Sequence, residues 1–278
     1  MIKRLAIQFF GHSRSFVKTF ESLRKNILEP NKATGWEIDI FIHTWDEKQS
    51  NNQRDYSEKE KLSTADIDLI KKLYSPKKLL VEPQIKINGH LHHIVENIEI
   101  PKSRIHNTYY TMHKTNKLRR EYENKNVKYD FVIATRMDID FCHPILIDNL
   151  REKRIEQISP RPEEKSSELF TAIYFGTMPG FPFISRNTTG VIRLGASDCI
   201  MCGAGKLFDE SQDVYLHLDE MLDKYGFENH EYFIKHWWDD IGINVIVLNY
   251  IFGLDWSINR SLVGQHKRNW WKKLWQKK

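Results

Sequence analysis

The sequence predicts an α/β fold with a mixed, mostly parallel sheet flanked by helices. Three observations favour it: short apolar runs rich in β-branched residues recur along the chain, stretches with helical spacing separate them, and polar or glycine-containing loops follow them. The chain has 278 residues, 40% of them apolar, which is enough for a full hydrophobic core. We expect one domain over residues 1–264, with halves at about 1–142 and 143–264, and a tail over 265–278.

The first unit is a strand, a small loop and a helix. Residues 3–10 are an apolar run, 11–15 are polar with one glycine, and 16–28 carry apolar residues three or four apart. Such a loop is a common way to present backbone N–H groups to an anion. A tight turn explains the loop taken alone equally well.

A second strand, within 37–45, closes on a polar cluster that includes His43 and Asp46. Two strands separated by a helix indicate a βαβ unit and a parallel sheet, in which ligands collect beyond the carboxyl ends of the strands. His12, His43 and Asp46 would all lie near that edge. Each of these types is more often a hydrogen-bonded loop residue than a ligand.

The spacing of apolar residues and the presence of capping residues predict further helices and strands. Residues 47–61 are polar and charged and predict an exposed loop. His90, His92 and His93 suggest a metal, but the interleaved apolar residues favour a surface strand. The remaining predictions are a helix over 64–70 capped by Ser63 or Thr64, a strand over 78–82, helices over 107–124, 208–222 and 228–238, and a strand over 243–248.

The most informative stretch is 130–141, where a buried strand at 131–134 runs into Asp138 and Asp140. If the chain stays extended, side chains two residues apart point to the same face. Two neighbouring carboxylates repel each other unless a proton or cation lies between them, and carboxylate oxygens suit Mg²⁺ or Mn²⁺ carrying phosphate. The pattern therefore predicts a metal and diphosphate site.

The three cysteines are too few for a disulfide framework and fit a reducing compartment. Cys199 and Cys202 form a C-x-x-C pair, and Cys142-His143 are imaginable partners for zinc. No second C-x-x-C pair exists in the sequence, so buried strand cysteines are the preferred interpretation.

The basic charge is concentrated in the tail. Residues 266–278 contain six Lys and Arg and no acid, whereas the whole chain has a net charge of +5, so residues 1–265 are close to neutral. A near-neutral body argues against nucleic-acid binding. The tail also holds three tryptophans, and in a helix Trp270, Trp271, Leu274 and Trp275 form one band, a composition typical of an anionic membrane surface. The alternative is a tail docked on its own domain or on a partner subunit.

Two further features bear on location. The sequence contains no apolar run of about 18 residues that could cross a bilayer. The N-terminal residues lead straight into a strand-like run and lack the small-residue cleavage site of a secretion signal. We therefore expect a cytoplasmic protein, peripherally associated with the inner face of the cytoplasmic membrane.

Taken together, these segments resemble the GT-A type of glycosyltransferase (a Rossmann-like fold), and in particular the bacterial enzymes of capsular polysaccharide and lipopolysaccharide biosynthesis. The likeness spreads over most of the chain. The D-x-D motif alone is weak, and it gains weight from its position in mid-chain, after two βα units and at a strand end. The matching segments are 8–14, 39–45, 107–112, 129–140, 198–203 and 242–245.

The resemblance implies a nucleotide-diphosphate sugar as donor and a glycan or lipid-linked glycan as acceptor. Residues 1–142 would form the nucleotide-sugar half and 143–264 the acceptor half. Asp138 and Asp140 would hold Mn²⁺ or Mg²⁺ on the diphosphate, and His266 would be a third metal ligand. The implied residues around the nucleotide are Phe10, Gly11, His12, Asp46 and Asp138.

Two catalytic candidates follow from the same resemblance. Arg136 either stabilises the leaving diphosphate or packs against the acidic pair. Asp198 is the first choice for the base that deprotonates the acceptor in an inverting reaction, and a structural aspartate is its alternative. Glu228, Glu231, Asp239 and Asp240 are further candidates for that base.

Two other functions stay open. A phosphatase or phosphotransferase with an aspartate nucleophile also places D-x-D after a strand, but usually after the first one. A non-catalytic protein that binds nucleotides or carbohydrates at a membrane surface would use the two acids structurally. Turnover distinguishes the transferase from the binding protein.

Overall fold

The structure, a computed structural model, describes residues 2–49, 60–94, 97–123, 127–157, 168–173, 185–186, 192–193, 199–227, 230–251 and 255–259. Its strands are β1 Lys3–Phe9, β2 Trp36–Trp45, β3 Glu47–Gln49, β4 Glu60–Lys61, β5 Lys78–Glu82, β6 His90–His93, β7 Ile98–Pro101, β8 Phe131–Thr135, β9 Ile139–Phe141, β10 Arg154–Gln157, β11 Glu168–Ile173, β12 Ser185–Arg186, β13 Ile192–Arg193, β14 Ile200–Ala204, β15 Asn244–Ile251 and β16 Trp256–Ile258. Its α-helices are α1 Phe16–Leu23, α2 Glu29–Ala33, α3 Thr64–Tyr74, α4 Lys102–Glu123, α5 Gly205–Ser211, α6 Leu218–Tyr225 and α7 His230–Asp240. A π-helical turn, Arg24–Leu28, and two 3₁₀-helices, Ile147–Lys153 and Asp213–His217, complete the described elements.

Eight strands form the main sheet in the order β10-β15-β11-β14-β8-β1-β2-β5. The pairs β5/β2, β2/β1, β1/β8 and β11/β15 are parallel, whereas β14 pairs antiparallel with both β8 and β11, and β10 is antiparallel to β15. The α/β architecture with a mixed, mostly parallel sheet is therefore confirmed, and it is compatible with a Rossmann-like arrangement.

Both faces of strand β1 are covered by other parts of the protein. Leu5, Ile7 and Phe9 belong to one hydrophobic cluster and Ala6 belongs to another, as expected when successive side chains point to opposite sides of a sheet. The first cluster includes residues of α1 and α3, and the second includes residues of α4 and α7. Helices on both faces explain why residues 5–9 of this strand are buried and, apart from Gln8, apolar.

Several helices differ from the sequence expectation, and the helix predicted over 208–222 is divided into α5, the 3₁₀-helix Asp213–His217 and α6. The first helix continues beyond residue 28, because the π-helical turn leads directly into α2. Of the two proposed caps of α3, Ser63 is the observed one: its hydroxyl accepts from the N–H of Asp66, whose carboxylate accepts from the N–H of Ser63. Helix α4 begins at Lys102, five residues before the predicted start.

The two described ends of the polar stretch 47–61 also differ from the exposed or mobile loop expected there, while residues 50–59 lie outside the described residues. These two ends, β3 and β4, pair antiparallel, and Glu47 is buried. The reason is that the backbone carbonyls of Glu47 and Lys48 bind the loop that follows β1. By contrast, the surface strand expected at His90–His93 is confirmed as β6, in which His90 and His92 are exposed.

Within the described part of the chain, no helix has the length and apolar character needed to cross a lipid bilayer.

Candidate functional site

The candidate site lies where the parallel strands β1, β2, β5 and β8 end. Phe9 at the end of β1 pairs with Ile42 in β2 and with Thr135 at the end of β8, and Trp45 at the end of β2 pairs with Glu82 in β5. The four carboxyl ends therefore form one edge. This is the edge at which open α/β sheets bind ligands, and it carries polar and charged residues from four separate segments.

The loop after β1 is fixed by contacts with other segments. Gly11 has a φ of +88°, which favours glycine, and its N–H donates to the Thr111 hydroxyl at 2.8 Å. Arg14 also has a positive φ, +43°, and its N–H donates to the carbonyl of Lys48 at 2.9 Å. These two N–H groups are satisfied inside the protein and do not serve an anion.

His12 joins three segments of this edge. One ring nitrogen, Nδ1, lies 2.9 Å from the carbonyl oxygen of Glu47, and Nε2 lies 2.7 Å from the amide nitrogen of Gln84. Nδ1 must therefore carry the proton, because it faces an acceptor while Nε2 faces a donor. Burial, together with the charge of Arg14, lowers the pKa of His12 to about 4. His12 is thus a neutral structural link.

Asp138 is enclosed by two arginines. The Arg136 fork donates from Nε to Oδ1 at 2.9 Å and from Nη2 to Oδ2 at 2.6 Å, and Arg14 Nη1 donates to Oδ2 at 2.6 Å. The side chain of Asp138 has no exposed surface, whereas those of Arg14 and Arg136 are 16% and 15% exposed. Although burial opposes ionisation, the two guanidinium groups hold the pKa of Asp138 well below its usual range.

Asp140 has different surroundings. It lies in β9, opposite Ser257 of β16, and is partly exposed, whereas Asp138 precedes the strand in a turn. The backbone carbonyl of Asp138 accepts from the N–H of Asn259 at 2.7 Å, which fixes the turn against the end of β16. The carboxylates of Asp138 and Asp140 therefore differ in exposure and in surroundings.

These contacts do not fit the metal ion that the sequence predicts at this place. Both oxygens of Asp138 accept from guanidinium groups, so a cation could reach them only by displacing an arginine. Within the described ranges, no group of three or more His, Cys, Asp or Glu side chains is arranged to hold a metal ion. The third proposed ligand, His266, lies outside the described residues.

A second polar network lies at the same edge, and the sequence analysis placed only His43 near it. His43 is fully buried; its Nε2 lies 2.9 Å from Glu82 Oε1 and its Nδ1 lies 2.5 Å from Thr111 Oγ1. Nε2 therefore donates to the carboxylate and Nδ1 accepts from the hydroxyl. Because Thr111 also accepts from the N–H of Gly11, the network connects the loop after β1 with the end of β5.

Burial dominates the electrostatics of this network. It lowers the pKa of His43 to about 4, in spite of the neighbouring carboxylate. Although burial acts in the opposite direction on Glu82, hydrogen bonds from His43 and Tyr110 lower the pKa of that carboxyl group. Glu82 is therefore an ionised, partly exposed carboxylate at the edge, and no sequence motif points to it.

Aromatic rings lie beside this network. Tyr110 stacks on Trp45 with the ring centroids 5.7 Å apart and the planes at 16°, and Lys114 Nζ lies 5.0 Å from the centre of the Tyr110 ring. Tyr215 meets Tyr110 edge to face at 5.2 Å. The edge thus combines charged groups with a flat apolar surface, as many ligand sites do.

The other predicted site residues are distributed as follows. Phe10 is buried in the hydrophobic core, with 3% exposure, and so contributes packing rather than a free ring. Asp46 lies at the edge after β2 and accepts from Lys61 Nζ at 2.8 Å. Asp198, the proposed base, lies outside the described residues, as does Glu228. Asp239 and Asp240 pair with Lys235 and Lys224, respectively.

The preferred interpretation of the C-x-x-C pair is confirmed, since Cys199 and Cys202 are buried, the latter in β14. Burial raises the pKa of the Cys202 thiol, so it is an inert core residue rather than a reactive one. Cys142 is exposed. Arg136 Nη1 lies 3.5 Å from Cys199 Sγ, so this cysteine packs against the site.

The fold and its carboxyl edge define an α/β protein with a mostly parallel mixed sheet flanked by helices, compatible with a Rossmann-like arrangement, and with a charged and aromatic candidate site. Neither the protein-family models nor the sequences of curated proteins give a match to this chain. Its function therefore has to be inferred from the site itself.

Proposed function

We propose that this protein is a glycosyltransferase with a GT-A-like fold, which moves a sugar from a nucleotide-diphosphate donor to a growing surface glycan. The observation that carries the proposal is the convergence of Arg14 and Arg136 at the carboxyl edge of the sheet. The two residues come from loops after adjacent strands, β1 and β8, and their side chains reach the surface. Guanidinium groups are the preferred protein partners of phosphate oxygens.

The proposed transfer breaks one bond of the donor and forms one bond to the acceptor. The bond between the anomeric carbon and the diphosphate oxygen breaks, a bond to the acceptor oxygen forms, and the acceptor proton passes to a carboxylate. Negative charge grows on the departing diphosphate, and fixed positive groups beside it lower the barrier. Arg14 and Arg136 would supply those groups, and the partly exposed ring of Tyr110, packed on the buried Trp45, would supply an apolar surface nearby.

Two carboxylates are candidates for the base that takes the acceptor proton. Asp198 keeps the role proposed from the sequence. Glu82 is a second candidate, because it is ionised, partly exposed and held by His43 at the same edge. Either carboxylate would have to lie within hydrogen-bond reach of the acceptor hydroxyl in the complex.

The burial of Asp138 bears on the alternative enzyme class. An aspartate nucleophile must reach the phosphorus atom of its substrate, and a fully buried carboxylate between two arginines cannot do so without leaving its place. The transferase is therefore the better supported enzyme. The non-catalytic binding protein is separated from it by turnover alone.

We also propose that the basic tail at 265–278 brings the enzyme to the anionic inner face of the cytoplasmic membrane, where a lipid-linked acceptor would lie. The support is compositional: six cations and three tryptophans within fourteen residues.

The test is a screen of UDP-, GDP-, dTDP- and CMP-sugars by thermal unfolding, followed by detection of the released nucleotide. A ligand present at 100 times its Kd stabilises the native state by about 2.7 kcal/mol. We expect one nucleotide class to raise the midpoint, and the nucleotide of that donor to be released when membrane glycolipids are added as acceptor. No shift with any donor would overturn the proposal, and a shift without turnover would favour the binding protein.

A further inference from the structure

The arginines and the aspartate of the site differ in what they present to a ligand. Asp138 has no exposed surface, whereas Arg14 and Arg136 retain 16% and 15% exposure. The part of this triad that solvent reaches therefore belongs to the two arginines and not to the carboxylate. Such an arrangement attracts an anion and repels a divalent cation.

Geometry leads to the same conclusion. Three hydrogen bonds from two arginines occupy both oxygens of Asp138. The two-point contact with Arg136 fixes the plane of that guanidinium group, as is typical of arginine and carboxylate pairs. The negative charge of this carboxylate is already balanced by two guanidinium groups, so electrostatics does not favour the binding of a further cation such as Mg²⁺ or Mn²⁺.

The backbone fixes the second arginine. Arg14 adopts a positive φ, which is uncommon for a residue other than glycine, and the hydrogen bond from its N–H to the carbonyl of Lys48 holds this conformation. The side chain of Ser13 is buried and its hydroxyl has no hydrogen-bond partner in the described part of the chain. Because this hydroxyl is fully buried, it belongs to the interior of the loop and is not a contact for a ligand.

We propose that Arg14 and Arg136 bind the diphosphate of the donor without a divalent cation, and that Asp138 is a positioning residue that orients both guanidinium groups. This inference rests on the proposed function and departs from the metal-dependent site that the D-x-D motif predicts. The ligand class is a nucleoside diphosphate. Asp140 has no part in its binding.

The test measures UDP and GDP binding by calorimetry, in EDTA and then in Mn²⁺, with the wild-type protein and five variants. Asp140→Asn removes the partly exposed acid of the motif, and Asp148→Asn is its matched control, since Asp148 is a surface acid paired with Lys3. Arg136→Lys keeps the charge but loses the two-point contact. Asp138→Asn keeps the shape and loses the charge.

We expect the same Kd in EDTA and in Mn²⁺, the same Kd for Asp140→Asn and Asp148→Asn, and a Kd at least about tenfold higher for Arg136→Lys and Asp138→Asn. Mn²⁺ titration followed by electron paramagnetic resonance should show no tight site on the unliganded wild type. Gly205→Ala, a destabilised variant at a close backbone contact with Tyr129, should bind UDP normally and so separate positioning from loss of stability.

Two outcomes count against the inference in distinguishable ways. Binding that requires Mn²⁺ and disappears in Asp140→Asn overturns it and leaves the proposed transferase in place. Absence of nucleotide binding in every condition overturns the proposed function, and the inference with it. The comparison of EDTA with Mn²⁺ uses the wild-type protein and so does not depend on the folding of any variant.

Discussion

Arg136 holds Asp138, two residues further along the chain, by a two-point contact, Nε to Oδ1 at 2.9 Å and Nη2 to Oδ2 at 2.6 Å. When two residues of one turn pair in this way, both side chains lose rotamer freedom, so a contact from another segment is needed to support the pair. Arg14, which is 124 residues away from Asp138 in sequence, supplies that support from the loop after β1. Arg14, Arg136 and Asp138 therefore form a mostly buried triad at the candidate site.

The first prediction concerns the stability of the buried triad. Arg136→Leu leaves the Asp138 carboxylate buried with one partner removed, so we expect the free energy of unfolding to fall by about 3–5 kcal/mol. Urea unfolding followed by tryptophan fluorescence measures it. Asp148→Asn, which breaks the surface pair with Lys3, should change the same quantity by less than about 1 kcal/mol. Equal effects of the two substitutions would contradict a buried ion pair.

The second prediction concerns a close backbone contact at the start of α5. A Cβ atom added to Gly205 would lie 2.4 Å from the backbone carbonyl oxygen of Tyr129, which cannot rotate away. Gly205→Ala should therefore lower the free energy of unfolding by about 1–3 kcal/mol. The neighbouring Lys206→Ala, at an exposed position, should change it by about 0.5 kcal/mol or less. A thermal midpoint that is unchanged in Gly205→Ala would refute the contact.

The third prediction is a pH dependence that arises from two buried histidines. The folded-state pKa values of His12 and His43 are both about 4, against about 6.5 in the unfolded chain. The unfolded state therefore binds more protons between these values. The stability contributed by the neutral rings is fully present above pH 6.5 and is lost as the pH falls towards 4, on the order of 3 kcal/mol for each ring.

His12→Asn tests this dependence. The substitution removes one titrating group, so the slope of unfolding free energy against pH between 6.5 and 4 should decrease by up to about 1.4 kcal/mol per pH unit. The exposed His90→Asn is the matched surface control for the substitution itself, and its free energy of unfolding at pH 7 should differ from that of the wild type by about 0.5 kcal/mol or less. If His12→Asn retains the wild-type slope, His12 does not titrate as its burial requires.

The fourth prediction concerns membrane binding by the tail. A chain that ends at residue 264 should lose sedimentation with vesicles containing phosphatidylserine or phosphatidylglycerol, because each Lys or Arg near such a surface contributes about 1 kcal/mol. The full chain should bind these vesicles at low salt and dissociate as the salt concentration rises. Phosphatidylcholine vesicles are the control. Binding by the truncated chain equal to that of the full chain would assign the membrane affinity to another part of the protein.

The sequence alone predicted much of the fold. Apolar runs at 3–10, 38–45, 78–82 and 131–134 correspond to the four parallel strands, because a buried strand needs only local, continuous apolar character. Strand order was not predictable in the same way: β14 lies between β8 and β11 and runs antiparallel to both, although residues 136–199 separate it from β8 along the chain. Such pairing depends on contacts that are distant in sequence.

The candidate site likewise combines features that the sequence predicts with features that only the tertiary structure shows. The sequence by itself determined that Asp138 follows a buried strand, that Gly11 lies in a loop between strand and helix, and that polar residues follow His43, since these features depend on neighbours within a few positions. Only the tertiary structure decided that Arg14 reaches Asp138 and that Glu82 meets His43. The physical reason is that charges and hydrogen bonds act over a few Å in space, so a carboxylate whose sequence pattern predicts a metal ligand is, once folded, the partner of two arginines.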